Sequence, residues 1–154
     1  IHMGIQPEII NTSARQCLRR LKLDWNFAHL VYSQLEHYIP VRLDNGHGHQ
    51  YRHGMNGRFA HVLTSTGQQF KPHMDTSNRT PRGEKETRLS WLVYLSTPKK
   101  GATCFHNVYG SIVHKCEAEK GKAVIFSHKM QHSGEIVDGC KVTLRGDILY
   151  ERRT

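Results

Sequence analysis

The sequence predicts a mainly β fold with N-terminal helices, in which two antiparallel sheets form a double-stranded β-helix, or jelly roll. From residue 58 onward, short apolar or alternating runs follow one another, and turn residues separate them. Helical spacing of apolar residues occurs before residue 41, so we expect helices to pack outside one sheet. The expected strands are 58–64, 68–75, 89–96, 102–106, 111–114, 122–127, 132–137 and 141–150. A chain of 154 residues suits one domain, which we place at residues 5–154.

Two helices are expected ahead of these strands. The sequence Ser13-Ala14-Arg15-Gln16 has the pattern of a capping box, which would begin a short helix. Asp24 would cap a second helix that ends before Pro40. The apolar residues of the second helix recur at helical spacing, and we expect them to belong to the core. They are Phe27, Leu30, Val31, Leu35 and Tyr38.

Two segments predict loops. Residues 44–57 are rich in Gly, Asn and His, and the histidines at 47, 49 and 53 are weak candidates for a second metal site. Thr76–Lys85 is polar and contains Pro and Gly. This segment follows the best candidate site directly, so the sequence predicts a mobile lid over a substrate there.

The best candidate metal ligands are His73, Asp75 and His132. Residues two apart on a strand project to the same face, so His73 and Asp75 would point together while Met74 points away. His132 follows the apolar run 123–126, which predicts a buried strand that the fold can bring alongside. Two imidazoles and one carboxylate leave metal positions open and are typical of non-haem Fe(II) sites. The 4 Cys include no C-x-x-C pair, which disfavours a zinc finger.

The last expected strand carries cations on one face. Lys141, Thr143 and Arg145 alternate with Val142 and Leu144, so one face is polar and the other is apolar. A cation that faces the inside of a barrel is costly to bury unless an anion meets it, and a dicarboxylate co-substrate would do so. Two alternatives remain open at this point. The polar face could be exposed to solvent, and His-x-Asp could arise by chance in a chain with 12 His.

Taken together, these segments resemble the Fe(II)- and 2-oxoglutarate-dependent dioxygenases, and within them the prolyl 4-hydroxylase-like group. The stretches that carry the resemblance are 54–59, 67–75, 89–96, 101–105 and 126–150. The resemblance implies a jelly roll that uses Fe(II), 2-oxoglutarate and O2, with ascorbate as a reductant. It also implies hydroxylation of a protein or peptide side chain, prolyl in the first instance, with release of succinate and CO2.

The resemblance assigns roles to individual residues as well. The residues implied for iron are His73, Asp75 and His132. The residues implied for the far carboxylate of 2-oxoglutarate are Lys141 and Tyr94, with Thr143 and Arg145 as weaker members of the same pocket. The weak candidates for substrate contacts are Arg88 and Arg79.

Charge and composition set limits on partners. The net charge of +9 is compatible with nucleic acid as well as with an acidic peptide or protein. The basic clusters lack interleaved aromatic residues, which favours ordinary solvated surfaces. No membrane span or signal peptide is visible, and the scattered Cys fit a reducing compartment, so we expect cytoplasmic or nuclear residence. Residues 1–4 resemble a cloning remnant, so the natural N-terminus is not fixed by this sequence, and the oligomeric state stays open.

Three other functions remain open. Oxidative demethylation of nucleic acid suits the basic charge, although the arginine-rich ending typical of that branch is absent. A catalytically inactive jelly-roll module that binds protein or RNA would not require all of His73, Asp75 and His132. A cupin-type metal enzyme without 2-oxoglutarate would not require the inward cation at Lys141.

Overall fold

Strands make up most of the described chain. The structure is a computed structural model, and it describes residues 7–44, 48–80 and 83–152. The strands are β1 Glu8–Asn11, β2 Gln16–Leu23, β3 Arg42–Asp44, β4 His49–Met55, β5 Arg58–Ser65, β6 Phe70–His73, β7 Lys85–Tyr94, β8 Thr103–His106, β9 Ile112–Cys116, β10 Ala123–Ser127, β11 His132–Gly134 and β12 Cys140–Glu151. Helix α1 spans Trp25–Leu35, and a 3-10 turn follows at Glu36–Tyr38. Each predicted strand overlaps an observed one, and the predicted mainly β fold is confirmed.

The strands form two antiparallel sheets. In the larger sheet the order is β1-β2-β5-β12-β4-β3, and β7 and β10 join it because β7 also pairs with β12. The smaller sheet has the order β6-β11-β8-β9. β12 is the centre of the larger sheet, because one of its edges pairs with β7 and the other with β5 and then β4. Residues of both sheets line one internal cavity, which is the arrangement of a double-stranded β-helix.

A hydrophobic core lies between α1 and the outer face of the larger sheet. Its members are Ala28, Ile39, Met55, Phe59, Leu89, Trp91, Ile148 and Tyr150. Gly146 on β12 makes room for the largest of them, because a Cβ at this position would lie 2.8 Å from Trp91 Nε1. The apolar face of β12 therefore serves this core, and its polar face is left for the space between the two sheets.

The predicted helix after Asp24 is confirmed. The side chain of Asp24 accepts a hydrogen bond of 2.9 Å from the backbone N–H of Phe27, as an N-cap does. Phe27, Val31 and Leu35 pack against the core. The core prediction is wrong for Leu30 and Tyr38, which are 61% and 77% exposed. Leu30 lies on the solvent side of α1, and Tyr38 lies beyond its end.

The first predicted helix is wrong. The segment that begins at Ser13 leads into β2, whose residues 18–23 pair with β5. The hydroxyl of Thr12, one residue earlier, accepts a 3.0 Å hydrogen bond from the backbone N–H of Arg15 and closes a turn there. β2 pairs with β1 on one edge and with β5 on the other, and these backbone hydrogen bonds outweigh a local capping pattern.

The predicted loop at residues 44–57 is also wrong, because β4 occupies half of it. This polar strand is held by its neighbours, since it pairs with β3 on one side and β12 on the other. The side chain of His53 pairs with Glu151 at 3.0 Å, and His49 lies 3.9 Å from Asp44. Within the described residues neither histidine joins a three-ligand group, and position 47 lies outside the described residues.

Other expectations fall at the edges of the described chain. The segment after β6 is irregular until Arg79 forms an isolated bridge with Glu86, and positions 81 and 82 lie outside the described residues. A lid role for this segment stays a prediction. The proposed cloning remnant at 1–4 lies outside the described residues too. No helix within residues 7–44, 48–80 and 83–152 has the length and hydropathy to span a membrane.

Candidate metal centre and adjoining cavity

His73 and His132 are brought together by the pairing of β6 with β11. The two residues are direct cross-strand partners in this antiparallel pair, and their ring centroids lie 4.2 Å apart. Asp75 lies beyond the end of β6, where its backbone N–H donates a 3.2 Å hydrogen bond to the carbonyl of His128. Met74 between them is 63% exposed, so His73 and Asp75 point inward together as the sequence predicted.

The three side chains form one group that can hold a metal ion. Their ligand atoms all lie within 4.8 Å of one another. The Nε2 atoms of His73 and His132 lie 3.9 Å and 3.8 Å from the two carboxylate oxygens of Asp75. The group is shielded from solvent, since the side chains of Asp75 and His132 are 6% and 9% exposed.

Both imidazoles are oriented by hydrogen bonds at the far nitrogen. Nδ1 of His73 lies 2.9 Å from the carbonyl of Lys71, and Nδ1 of His132 lies 3.0 Å from that of Met130. A carbonyl only accepts, so each Nδ1 carries the proton and each Nε2 presents a lone pair to the centre of the group.

Burial keeps both rings neutral. It lowers the pKa of His73 to about 4 and also lowers the pKa of His132. Nε2 of His73 is buried and has no hydrogen-bond partner, as expected for an imidazole nitrogen that serves as a metal ligand. By these two observations the residues fit a divalent metal with nitrogen and oxygen ligands.

Asp75 is held by two partners that the sequence analysis did not find together. The hydroxyl of Ser90 donates to Oδ2 of Asp75 at 2.6 Å, and Nη2 of Arg145 forms an ion pair with the same oxygen at 2.9 Å. Burial alone would raise the pKa of Asp75, but Arg145, Ser90 and His132 outweigh it and hold that pKa below its usual value. Asp75 is therefore an anion with one fixed orientation.

A second layer of polar residues lies behind this contact. Nη2 of Arg145 is 3.4 Å from Oδ1 of Asp147, and the same oxygen is 3.3 Å from Nε2 of His128. His128 is only 2% exposed. Part of this layer could be predicted from sequence spacing. Arg145 and Asp147 are two residues apart on one strand, so their side chains share a face.

A narrow cavity of about 80 Å³ runs between the two sheets and reaches His132. Lys141 and Thr143 of β12 line it, and both are buried, at 7% and 6% exposed. The predicted polar face of β12 thus points inward and is not exposed to solvent. Arg145 also lines this cavity, at the end nearer Asp75.

The ammonium group of Lys141 has no ion-pair partner among the described residues. Its nearest aromatic ring is that of Tyr94, whose centroid lies 5.5 Å from Nζ. The nearby carboxylate of Glu135 already pairs with Lys115. Burial lowers the pKa of Lys141 to about 8. A buried cation without a counter-charge is costly, so this cavity is suited to receive an anion.

Tyr94 lies beside Lys141, but its hydroxyl points to other groups. The hydroxyl oxygen is 2.7 Å from Oγ1 of Thr103 and 3.2 Å from the carbonyl oxygen of Cys116. Thr103 lines the cavity, whereas Tyr94 does not. The sequence gave no reason to select Thr103, because only the packing of β8 against β7 places its hydroxyl there.

The fold does not place Arg79 and Arg88 beside the three candidate metal ligands. Both pair with Glu86 on β7, with N–O distances of 3.8 Å for Arg79 and 3.5 Å for Arg88. Neither residue lines the narrow cavity or the open cleft beside His73. Their substrate role stays a prediction that rests on sequence resemblance.

A wider cleft of about 470 Å³ borders two of the three candidate ligands, His73 and Asp75. Arg145 also lines it, as do Thr76 and Asn78 of the irregular segment. Three further arginines line it, and the sequence analysis assigned them no site role. They are Arg15, Arg19 and Arg58.

Comparison with known proteins identifies the family that the sequence matches. Residues 57–147 match the sequence profile of the 2OG-Fe(II) oxygenase superfamily, where 2OG denotes 2-oxoglutarate. The matched range includes all three candidate metal ligands and Lys141. A search of curated proteins finds no significant match.

Several solved structures share the fold. A prolyl-4-hydroxylase from Pseudomonas putida aligns with TM-score 0.65 and 14% identity, over 97% of this chain and 79% of its own. The viral collagen prolyl hydroxylase of Paramecium Bursaria Chlorella virus-1, solved as a 2OG complex, gives 0.57 and 13% over 90% and 81%. A Trichoplax adhaerens prolyl hydroxylase, solved with a hypoxia inducible factor oxygen degradation domain peptide fragment, gives 0.63 and 12% over 95% and 70%. At these identities the likeness shows a common fold.

Proposed function

This chain belongs to the 2OG-Fe(II) oxygenase superfamily and is a 2-oxoglutarate-dependent dioxygenase, and from that premise we propose that it hydroxylates a side chain of a protein or peptide, with proline as the target. Succinate and CO2 are the co-products. The choice of proline is supported by three structural neighbours that are prolyl hydroxylases, one of them solved with a peptide fragment.

In this proposal His73, Asp75 and His132 hold Fe(II). When bound, the iron supplies the redox chemistry by which O2 and 2-oxoglutarate are consumed and one oxygen atom enters a C–H bond. The protein holds the ligands ready: two backbone carbonyls fix the imidazoles, and Arg145 and Ser90 fix the carboxylate. Ascorbate would serve to keep the iron reduced during assay.

The observation that carries the proposal is the buried, unpaired ammonium group of Lys141, which supports binding of 2-oxoglutarate. This ammonium is buried in a cavity that ends at His132, and no described carboxylate neutralises it. A dicarboxylate that enters the cavity can place one carboxylate on this ammonium and extend the other towards the metal ligands. Thr103 and Thr143 line the same cavity and can donate hydroxyl hydrogen bonds to the carboxylate. Tyr94 would contribute its ring beside Lys141 and hold Thr103 in place through its hydroxyl.

The substrate would approach through the open cleft over His73 and Asp75, and the co-substrate would enter the narrow cavity. Arg15, Phe70 and Arg145 line both spaces, so the two molecules would meet there. Apolar side chains line the narrow cavity and help to exclude water from it, among them Phe126 and Leu92.

The test is a coupled turnover assay. The protein is supplied with Fe(II), ascorbate, 2-oxoglutarate and O2, together with a pool of short peptides that each contain one proline. We expect succinate in proportion to peptides that gain one oxygen atom, located on proline by fragmentation mass spectrometry. His73→Ala serves as the inactive control. Oxygen gain on another residue type would overturn the prolyl assignment, and demethylation of an alkylated oligonucleotide without peptide oxidation would overturn the protein-substrate assignment.

A further inference from the structure

We propose that the open cleft over His73 and Asp75 binds an acidic stretch of polypeptide, so that Asp or Glu residues flank the side chain that is hydroxylated. This inference deepens the proposed function and rests on it. It names the substrate class by charge, which neither the family nor the structural neighbours specify.

The cleft collects guanidinium groups from adjacent elements. Arg19 lies on β2, Arg58 on β5 and Arg145 on β12, and these three strands are neighbours in the larger sheet. Arg15 joins them from the turn before β2. Neighbouring strands lie about 4.8 Å apart, so the cations span roughly 10 Å across the cleft. One small anion cannot meet them all at once, whereas an extended segment with several acidic side chains can.

The charges in the cleft are not balanced from within. Arg145 is engaged by Asp75 and Asp147. Arg19 pairs with Glu8 at 2.7 Å, but the Glu8 side chain is 56% exposed and such surface pairs are weak. Arg15 and Arg58 have no carboxylate within ion-pair distance among the residues the structure describes.

Arg15 is a cation of the cleft without a carboxylate partner among the described residues, and it also lines the narrow cavity. Its guanidinium lies 4.6 Å from the centroid of the Phe70 ring, which itself stacks on His73 at 3.6 Å. Burial, together with the nearby charges of Arg19 and Arg145, lowers the pKa of Arg15. A half-buried cation beside two others is relieved when an acidic group arrives. The stack through Phe70 places that acidic group one ring away from a candidate metal ligand.

An acidic peptide suits this cleft better than a nucleic acid. Proteins that hold single strands combine cations with open aromatic faces on which bases stack. The aromatic residues lining the described cleft are Phe59, which is 3% exposed, and Phe70, which is covered by Arg15 and His73. Neither offers a free ring face to a base.

The experiment measures binding of fluorescent peptides by anisotropy, with the iron left out so that no turnover occurs. Two peptide pools share a central proline and differ only in their flanks, which are Asp/Glu in one and Asn/Gln in the other. An oligonucleotide of matched length is the third probe. Arg58→Gln and Arg15→Gln are compared with Arg20→Gln, which removes the same charge from the exposed opposite face of β2.

We expect the acidic pool to bind at least about tenfold more tightly than the neutral pool, with a preference that falls as salt rises. Arg58→Gln and Arg15→Gln should each weaken acidic binding about fivefold, and Arg20→Gln should not. Equal affinity for the two pools, tighter binding of the oligonucleotide, or an equal loss in Arg20→Gln would each overturn the inference. Arg58 is exposed, so its variant remains informative if Arg15→Gln fails to fold.

Failure of the inference can be told apart from failure of the proposed function. Anaerobic binding of 2-oxoglutarate depends on the narrow cavity and should be unchanged in the Arg58→Gln and Arg20→Gln variants. If 2-oxoglutarate binds but acidic peptides show no preference, only the inference is wrong. If acidic peptides bind as expected but proline is not oxidised, the proposed reaction is wrong and the cleft assignment stands.

Discussion

Lys141 and Arg145 project from the same face of β12, yet the two cations meet different surroundings. Arg145 forms ion pairs with Asp75 at 2.9 Å and with Asp147 at 3.4 Å and donates a hydrogen bond to Ser90, so its charge is neutralised within the protein. Lys141 is more deeply buried and finds an aromatic ring but no carboxylate among the described residues.

β12 therefore has two roles, and whether each cation is paired within the protein decides which role it has. A paired cation positions a candidate metal ligand. An unpaired buried cation lowers the stability of the free protein, and the binding of an anion offsets this. The two are four residues apart, and the narrow cavity connects them. Variants of the metal ligands, Lys141 and Arg145 should therefore fail in different ways.

We expect the largest effect from the loss of one candidate metal ligand. His132→Ala and His73→Ala should each reduce 2-oxoglutarate turnover by more than about 100-fold, because loss of a ligand exceeds the usual effect of perturbing a ligand's support. Succinate formation measures turnover, and circular dichroism should show an unchanged fold. Full activity in either variant would show that the metal assignment is wrong.

Lys141→Met should separate binding from stability. We expect 2-oxoglutarate to bind less tightly by about 2–5 kcal/mol in anaerobic calorimetry, since a charge-assisted contact in a buried site is lost. The ligand-free variant should at the same time be more stable, by about 1 kcal/mol in denaturant unfolding, because an unpaired cation has been removed. Thr143→Val is the matched control on the same face. If Lys141→Met lowers stability instead, the cation has a partner in the protein and the comparison fails.

Arg145→Gln should act on the metal rather than on the co-substrate. Asp75 would lose its principal positive neighbour, so its pKa should rise and metal affinity should fall about 10- to 100-fold. Competition with a chelator measures the metal affinity. The 2-oxoglutarate affinity of the metal-loaded variant should change less than in Lys141→Met. The reverse ranking would mean that Arg145, not Lys141, receives the far carboxylate.

The smallest expected effect is on pH dependence. Burial lowers the pKa of Lys141 from its ordinary value of 10.5 to about 8. The ammonium is charged below that pH, so 2-oxoglutarate affinity should fall about tenfold from pH 7 to pH 9 in the wild type and stay flatter in Lys141→Met. A lowered pKa in the folded state also means that protonation favours unfolding. The stability advantage of Lys141→Met should therefore shrink as pH rises from about 8 towards 10.5, and a constant advantage would contradict the assignment.

Local patterns were enough to predict part of the molecule. The cap at Asp24, the alternation along β12 and the inward pairing of His73 with Asp75 all depend on residues close in sequence, where strand and helix periodicity apply. The apolar run 123–126 and the family resemblance pointed to His132 as the distant ligand, and His132 lies directly across from His73.

Other features depend on register between distant strands, which local patterns do not encode. β4 is polar, and its pairing with β3 and β12 makes it a strand. The contact of Ser90 and Arg145 with Asp75 requires β7, β12 and the end of β6 to meet at one level. Arg15 was interpreted as part of a helix, so its place in the cleft could not be foreseen. The direction of the Tyr94 hydroxyl depends on Thr103 of another sheet.

Binding of 2-oxoglutarate to the Fe(II)-loaded protein tests whether Lys141 receives its far carboxylate. Without O2, Fe(II)-loaded wild-type protein is titrated with 2-oxoglutarate while the visible charge-transfer band is recorded, beside Lys141→Met and Arg145→Gln. The account predicts a saturable band in the wild type, a shift to much higher 2-oxoglutarate concentration in Lys141→Met, and a smaller shift in Arg145→Gln once metal is saturating. A well-folded wild type that gives no band, or a Lys141→Met variant that saturates at the wild-type concentration, would contradict it.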